Sequence, residues 1–171
     1  LFSRFRTTLD YHTGVLRLDT HDTCSAAHTD NTAHDRAGAA MWLAENQLLL
    51  TQAALPALAD GVWFLDSGMT GGALAVPGTE VEALGLELYQ SDALIGTGGG
   101  GTVQGHKLSA DWLRLDQLCR HNLDGVMLDA FALGHSCGFE IRGLIGHDLL
   151  RGAVLTLDFP AMRLYLSDVH P

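Results

Sequence analysis

Short apolar runs broken by glycine, proline and acidic turns fill this chain, and almost nowhere do apolar residues recur at helical spacing. The clearest runs are Val62-Trp63-Phe64-Leu65, Gly125-Val126-Met127-Leu128 and Val154-Leu155-Thr156-Leu157-Asp158-Phe159, each the length of one strand. Met41 to Leu55 fits a short helix or a strand. Strand is preferred for Leu48-Leu49-Leu50-Thr51, which gives the next strand a hairpin partner through a turn at Asp60-Gly61. Gly71-Gly72-Ala73-Leu74-Ala75-Val76 runs to Pro77-Gly78, and Glu80 to Leu86 reads as a short helical turn before Glu87-Leu88-Tyr89. The Gly-rich segment Gly96–Gly105 lies between Ala93-Leu94-Ile95 and His106-Lys107-Leu108 and suits a mobile hairpin. Leu113-Arg114-Leu115 and Phe139-Glu140-Ile141 add short strands, and His147 to Arg151 suits a single helical turn. Together these predict an all-β fold, a small barrel or folded sheet with one short helix near the C-terminus.

The two ends of the chain repeat one another. Leu1, Thr8, Leu9, Asp10, Leu16 and Leu18 match Leu149, Thr156, Leu157, Asp158, Leu164 and Leu166 without a gap, and Tyr11 faces Phe159, at a constant offset of 148 residues. Each copy is two apolar strands around a polar bend, His12-Thr13-Gly14 in one and Pro160-Ala161-Met162 in the other. Two unrelated hairpins can share so common a pattern; the sharper reading is the tail of one lobe followed by all of a second. Residues 1–18 are then the C-terminal strands of a preceding lobe, or an N-terminal interface hairpin. Residues 19–40, rich in Asp, His, Thr and Ala, form an exposed linker, and 41–171 form the lobe itself. A start at Leu1 rather than Met, with no secretory signal, is taken as a processed or truncated product.

Of the 171 residues 47% are apolar, enough for a sizeable core without disulfides. Ten basic against 20 acidic residues give a formal net charge of −10, which argues against nucleic acid or an anionic membrane as the main partner. No apolar stretch approaches the roughly 20 residues of a membrane span. Cys24, Cys119 and Cys137 are an odd set without C-x-x-C spacing; a Cys119–Cys137 bridge and buried free thiols both stay open. The compartment is unknown from these residues, although an acidic chain of this type suits the periplasm or secretion.

Candidate chemistry centres on Asp66-Ser67-Gly68, at the end of the apolar run Val62–Leu65. A buried strand that delivers a carboxylate into a tight Ser-Gly turn places the acid where backbone and hydroxyl donors can hold it. The tripeptide is common by itself, and its sequel makes it informative. A Gly-rich hairpin follows at Gly96–Gly105, then Gly143-Leu144-Ile145-Gly146-His147-Asp148-Leu149-Leu150, then Leu157-Asp158-Phe159-Pro160 and Arg163-Leu164-Tyr165-Leu166. Over roughly Leu48 to Ser167 this series resembles the retropepsin-like aspartic proteases, especially the bacterial single-lobe type.

The resemblance implies a retropepsin- or pepsin-lobe-like closed β barrel and an aspartic-type endopeptidase acting on polypeptides, with neither cofactor nor metal. Asp66 would be catalytic, on a wide turn supported by Ser67, Gly68 and Thr70. Leu144, Ile145 and Gly146 would form the apolar-apolar-Gly segment packed against that turn, and Gly98, Gly99, Gly100 and Gly101 the flap over the substrate cleft. Met69 departs from the Ala usual in the family, and no aromatic residue lies inside the flap segment. Such hydrolysis needs two carboxylates sharing one proton, because two like charges about 3 Å apart cannot both ionise cheaply. One ionised acid activates water and the protonated one donates to the scissile carbonyl. This chain holds one Asp-Ser/Thr-Gly, so the second Asp must come from an upstream lobe, the preferred source, or from a homodimer partner.

Other chemistries fit less well. The glycine run lacks the Lys-Ser/Thr of a phosphate-binding loop, and no helical pattern follows it as a dinucleotide site requires. A flap and a plain flexible loop remain for it. His21, Cys24, His28 and His34 match no familiar zinc spacing, and His135 with Cys137 is equally loose, so no metal is expected. Gly-x-Ser-x-Gly is absent, which removes the usual serine-hydrolase elbow.

Overall fold

Alternating burial along the short apolar runs sets this architecture: in the segment Ala153–Asp158, Ala153, Leu155 and Leu157 turn inward while the residues between them do not. A computed structural model describes residues 4–20, 37–45, 48–89, 93–98, 101–131 and 140–168. The strands are β1 (Phe5–Asp10), β2 (Val15–Thr20), β3 (Ala39–Ala44), β4 (Leu48–Leu55), β5 (Leu58–Leu65), β6 (Leu74–Pro77) and β7 (Glu87–Leu88). They continue with β8 (Leu94–Gly98), β9 (Gly101–Leu115), β10 (Leu118–Leu128), β11 (Ile141–Ile145), β12 (Ala153–Asp158) and β13 (Arg163–Asp168). One helical turn, α1 (His147–Leu150), joins β11 to β12. The protein is all-β in these residues.

The strands form one sheet in the order β2-β1-β12-β13-β3-β4-β5-β11-β6-β10-β9-β7, with β8 paired to β9. Leu50, Trp63, Leu74, Leu108, Leu113, Ile145, Leu149, Leu164 and Leu166 are fully buried and make the core. The sheet meets itself again at one point, Ala54 of β4 opposite Arg114 of β9. That single bridge falls short of the clean closed barrel expected from sequence.

Several boundaries differ from expectation. The β4–β5 reversal falls at Pro56-Ala57, where proline's fixed φ suits a turn, and Asp60-Gly61 lies within β5. Leu113–Leu115 and Gly125–Leu128 are the ends of strands 15 and 11 residues long, joined at Asp116-Gln117. The strand sought at Phe139–Ile141 begins at Ile141, and Phe139 lies outside the described residues. Asp19 and Thr20 belong to β2 and Ala39 and Ala40 to β3; residues 21–36 of the expected linker lie outside the described residues.

The two matching hairpins sit side by side. β1 pairs with β2 from Phe5↔Thr20 to Asp10↔Val15, and β12 with β13 from Ala153↔Asp168 to Asp158↔Arg163, the same register shifted by 148 residues. Their turns also match. Asp10 Oδ1 accepts from the Thr13 N–H at 3.0 Å and Asp158 Oδ1 from the Ala161 N–H at 3.1 Å. Gly14 and Met162 both take a left-handed φ, of 72° and 50°. β1 then pairs antiparallel with β12 about Thr8↔Thr156, whose hydroxyls lie 3.2 Å apart.

β11 is wedged between β5, to which it runs parallel, and β6, to which it runs antiparallel. It carries one extra residue between Ile141 and Leu144 relative to β5, and Gly143 sits in that bulge. A Cβ on Gly143 would lie 2.3 Å from the Ala75 carbonyl oxygen and 2.9 Å from the Trp63 ring. Gly143→Ala is therefore expected to destabilise the fold by about 1–3 kcal/mol, as overpacking does, measured by equilibrium urea unfolding.

Candidate active site

Val62–Leu65 ends the buried strand β5 and delivers Asp66 to the surface, half-buried, at the head of a tight turn. The Met69 N–H donates to the Asp66 carbonyl at 3.1 Å and closes that turn. The Gly68 N–H donates to Asp66 Oδ1 at 3.0 Å, so the turn's own backbone orients the carboxylate. β11 hooks the turn from below: the Asp66 N–H donates to the Ile145 carbonyl at 2.9 Å, and the His147 N–H to the Met69 carbonyl at 2.8 Å. Between these bonds lies Gly146, whose N–H donates to the Ala73 carbonyl at 2.9 Å. A Cβ on Gly146 would lie 2.7 Å from the Gly72 oxygen and 2.8 Å from Met69 Cε, so glycine is what lets the two segments approach. Leu144, Ile145 and Gly146 thus lie directly against the Asp66 turn. Met69, which replaces the expected small residue, fills the space over Gly146.

Asp66 opens onto a cleft of about 930 Å³ that Gly68, Thr70 and the β8–β9 hairpin also line. Its walls are mostly apolar, including Phe64, Leu94, Ile95, Val126 and Leu128. Asp66 is its only carboxylate and Lys107 its only cation among the described residues. Hairpin pairing continues to Gly98↔Gly101, while Gly99 and Gly100 lie outside the described residues. Ser67 is exposed, and its hydroxyl engages the Tyr11 phenol.

Tyr11 was not singled out for chemistry by sequence, only as the match to Phe159. It follows β1 directly, its N–H donates to the Ala153 carbonyl at 2.9 Å, and its ring meets His147 edge-on at 5.3 Å. Burial raises the Tyr11 phenol above its ordinary pKa, and the Ser67 hydrogen bond opposes that shift. The N-terminal hairpin therefore buttresses both the Asp66 turn and α1. Next to Tyr11, Asp10 accepts bonds from the Thr13 hydroxyl at 2.6 Å and the His12 N–H at 2.9 Å.

Of the cysteines, Cys119 is an exposed free thiol 3.7 Å from His121 Nε2, which corrects the expectation of a buried one. Cys24, Cys137, His21, His28, His34 and His135 lie outside the described residues.

No family model matches the chain, and no curated protein matches it. Among solved structures it is similar to a retropepsin-like aspartic protease from Rickettsia conorii, at 14% identity and a TM-score of 0.47. That likeness covers 71% of this chain and 100% of the other.

Asp10 offers a test of the turn that carries Tyr11. The Thr13 hydroxyl and backbone hydrogen bonds hold the Asp10 carboxyl below its ordinary pKa. Its stabilisation is therefore present above the ordinary carboxylate pKa of about 4 and disappears as pH falls through the lower native value. Asp10→Ala should lower Tm at neutral pH, with the deficit closing as pH falls below about 4 in a series of thermal melts.

Proposed function

We propose that this chain is one lobe of an aspartic-type endopeptidase, with Asp66 as one of two acids that jointly activate water. The observation that carries the reading is the hooked turn, which fixes a carboxylate in a largely apolar cleft that the β8–β9 hairpin also lines. On this reading β4, β5, β11, β6, β10 and β9 act as the barrel, pinned where Ala54 meets Arg114, and β8–β9 acts as the flap. An extended polypeptide lies between flap and floor. Its backbone bonds to strand edges, and its alternate side chains enter the pockets beside Phe64 and Ile95.

A second carboxylate has to face Asp66. With it, one proton is shared: the ionised acid takes a proton from water as the oxygen attacks the scissile carbonyl, and the protonated acid donates to the carbonyl oxygen. The second Asp comes from another lobe or subunit, since the cleft holds no other acid among the described residues. Ser67, Gly68 and Thr70 support the turn.

The same shortage of acids favours a second reading, a catalytically silent module that binds extended peptides in the cleft or assembles through its edge strands. Met69 packed over Gly146 is compatible with either.

The deciding assay uses the natural polypeptide and an unfolded protein substrate between about pH 3 and pH 7. Hydrolysis is expected on the acidic side, with Asp66→Asn reducing it by roughly 10²–10⁴-fold or more. Peptide binding without hydrolysis throughout that range would establish the silent module instead.

A further inference from the structure

The paired hairpins define a local two-fold axis, and that axis assigns a partner to an exposed part of the sheet. Shifting β1–β2 by 148 residues reproduces the β12–β13 register. The pairing between the copies obeys the same operation: Arg6↔Asp158 is carried onto Asp10↔Val154, and Thr8↔Thr156 onto itself. Opposed residues of antiparallel strands point to one face, so Leu16 and Leu18 share a face with Leu9, Leu155, Leu157, Leu164 and Leu166. That face is mainly apolar, with Thr7 buried near its centre, and its two ends differ in exposure. Leu164 and Leu166 are 0% exposed under this lobe's core, whereas their matches Leu16 and Leu18 are 49% and 38% exposed.

The edges differ in the same way. β13 continues through Arg163↔Ala40 and Leu164↔Ala39 into β3, whereas β2 ends the sheet among the described residues. Val15 and Leu16 stand where Arg163 and Leu164 stand in the other copy. A strand at a sheet edge is a template for pairing, and β2, which also carries Arg17 and Asp19, presents Val15, Leu16 and Leu18 there.

We propose that β2 seats a second lobe of the same β topology, carried on the same polypeptide ahead of β1, with β1–β2 as its last hairpin. A strand corresponding to β3 pairs along Val15 and Leu16, and that lobe's core covers Leu16 and Leu18. A second copy of this chain is disfavoured at this position, because β1 already occupies the edge of β12 that a partner's β12 would need. The operation also carries Tyr11 onto Phe159, so Phe159 lies against the second lobe's acid turn as Tyr11 lies against Ser67 here. The seating rests on strand geometry; it deepens the peptidase reading, on which its functional meaning depends, by naming the source of the second acid.

The test is hydroxyl-radical footprinting read by mass spectrometry, in the Asp66→Asn background so that peptidase activity plays no part. The 171-residue chain is compared with the natural polypeptide that contains it. Leu16 and Leu18 should be labelled in the 171-residue chain and fall to the background level of Leu164 and Leu166 in the natural polypeptide, with both species monomeric in sedimentation. Equal labelling in the two overturns the proposal, as does a natural polypeptide with no lobe-sized segment ahead of Leu1. A dimer of the 171-residue chain with Leu16 and Leu18 protected also overturns it, in favour of a second copy. As a check on folding, Leu16→Arg with Leu18→Arg should lower the Tm of the longer polypeptide only. An equal loss in the 171-residue chain counts against the seating.

Discussion

Everything at the cleft depends on one strand being accepted between two others. β11 runs parallel to β5 and antiparallel to β6, so its arrival completes the hydrogen bonding of both in a single step. The cost is crowding, met by two glycines. Gly143 lets β11 pass beneath the Ala75 carbonyl and the Trp63 ring, and Gly146 lets the chain leave the sheet under Met69. Without that passage the Ile145 carbonyl could not receive the Asp66 N–H, nor the Met69 carbonyl the His147 N–H. The acid turn would then be an ordinary surface loop, held only by its own Gly68 and Met69 N–H groups. Orientation of the carboxylate is thus a property of the core, transmitted through backbone rather than through side chains.

How much of this could be read from the residues follows from the range of the interactions involved. The strand leading to Asp66 and the helical turn after Gly146 were legible because each is local: an apolar run, then glycine or a short polar break. Asp60-Gly61 misled because Asp-Gly is a frequent turn dipeptide, while Pro56 nearby sets the actual reversal. The lengths of β9 and β10 were underestimated because Gly105 and Gly125 look like breaks in a sequence, yet here they sit opposite Leu128 and Leu108 within the ladder. Tyr11 carried no sign of its contact with Ser67, since the two residues meet only through the placement of β1 beside β12. The incomplete barrel is of the same kind, a matter of how far β4 and β9 run together.

The repeat is the exception, a long-range relation visible in sequence. Its meaning, however, came from register. Two similar hairpins could have lain anywhere; these pair with each other about Thr8 and Thr156, which is how the ends of two equivalent lobes would share a sheet. The arrangement also bears on where a second acid could stand. Tyr11 lies three residues beyond Thr8, at most about 10 Å of extended chain, and it touches Ser67 beside Asp66. The Asp66 turn is therefore close to the axis, and an acid turn generated by the same rotation would lie equally close on the other side. A lone carboxylate in an apolar cleft makes a poor hydrolytic site, because nothing shares its proton or polarises the carbonyl. On the proposed reading, with Leu16 and Leu18 exposed on the far side of a local axis, the same carboxylate is half of a pair.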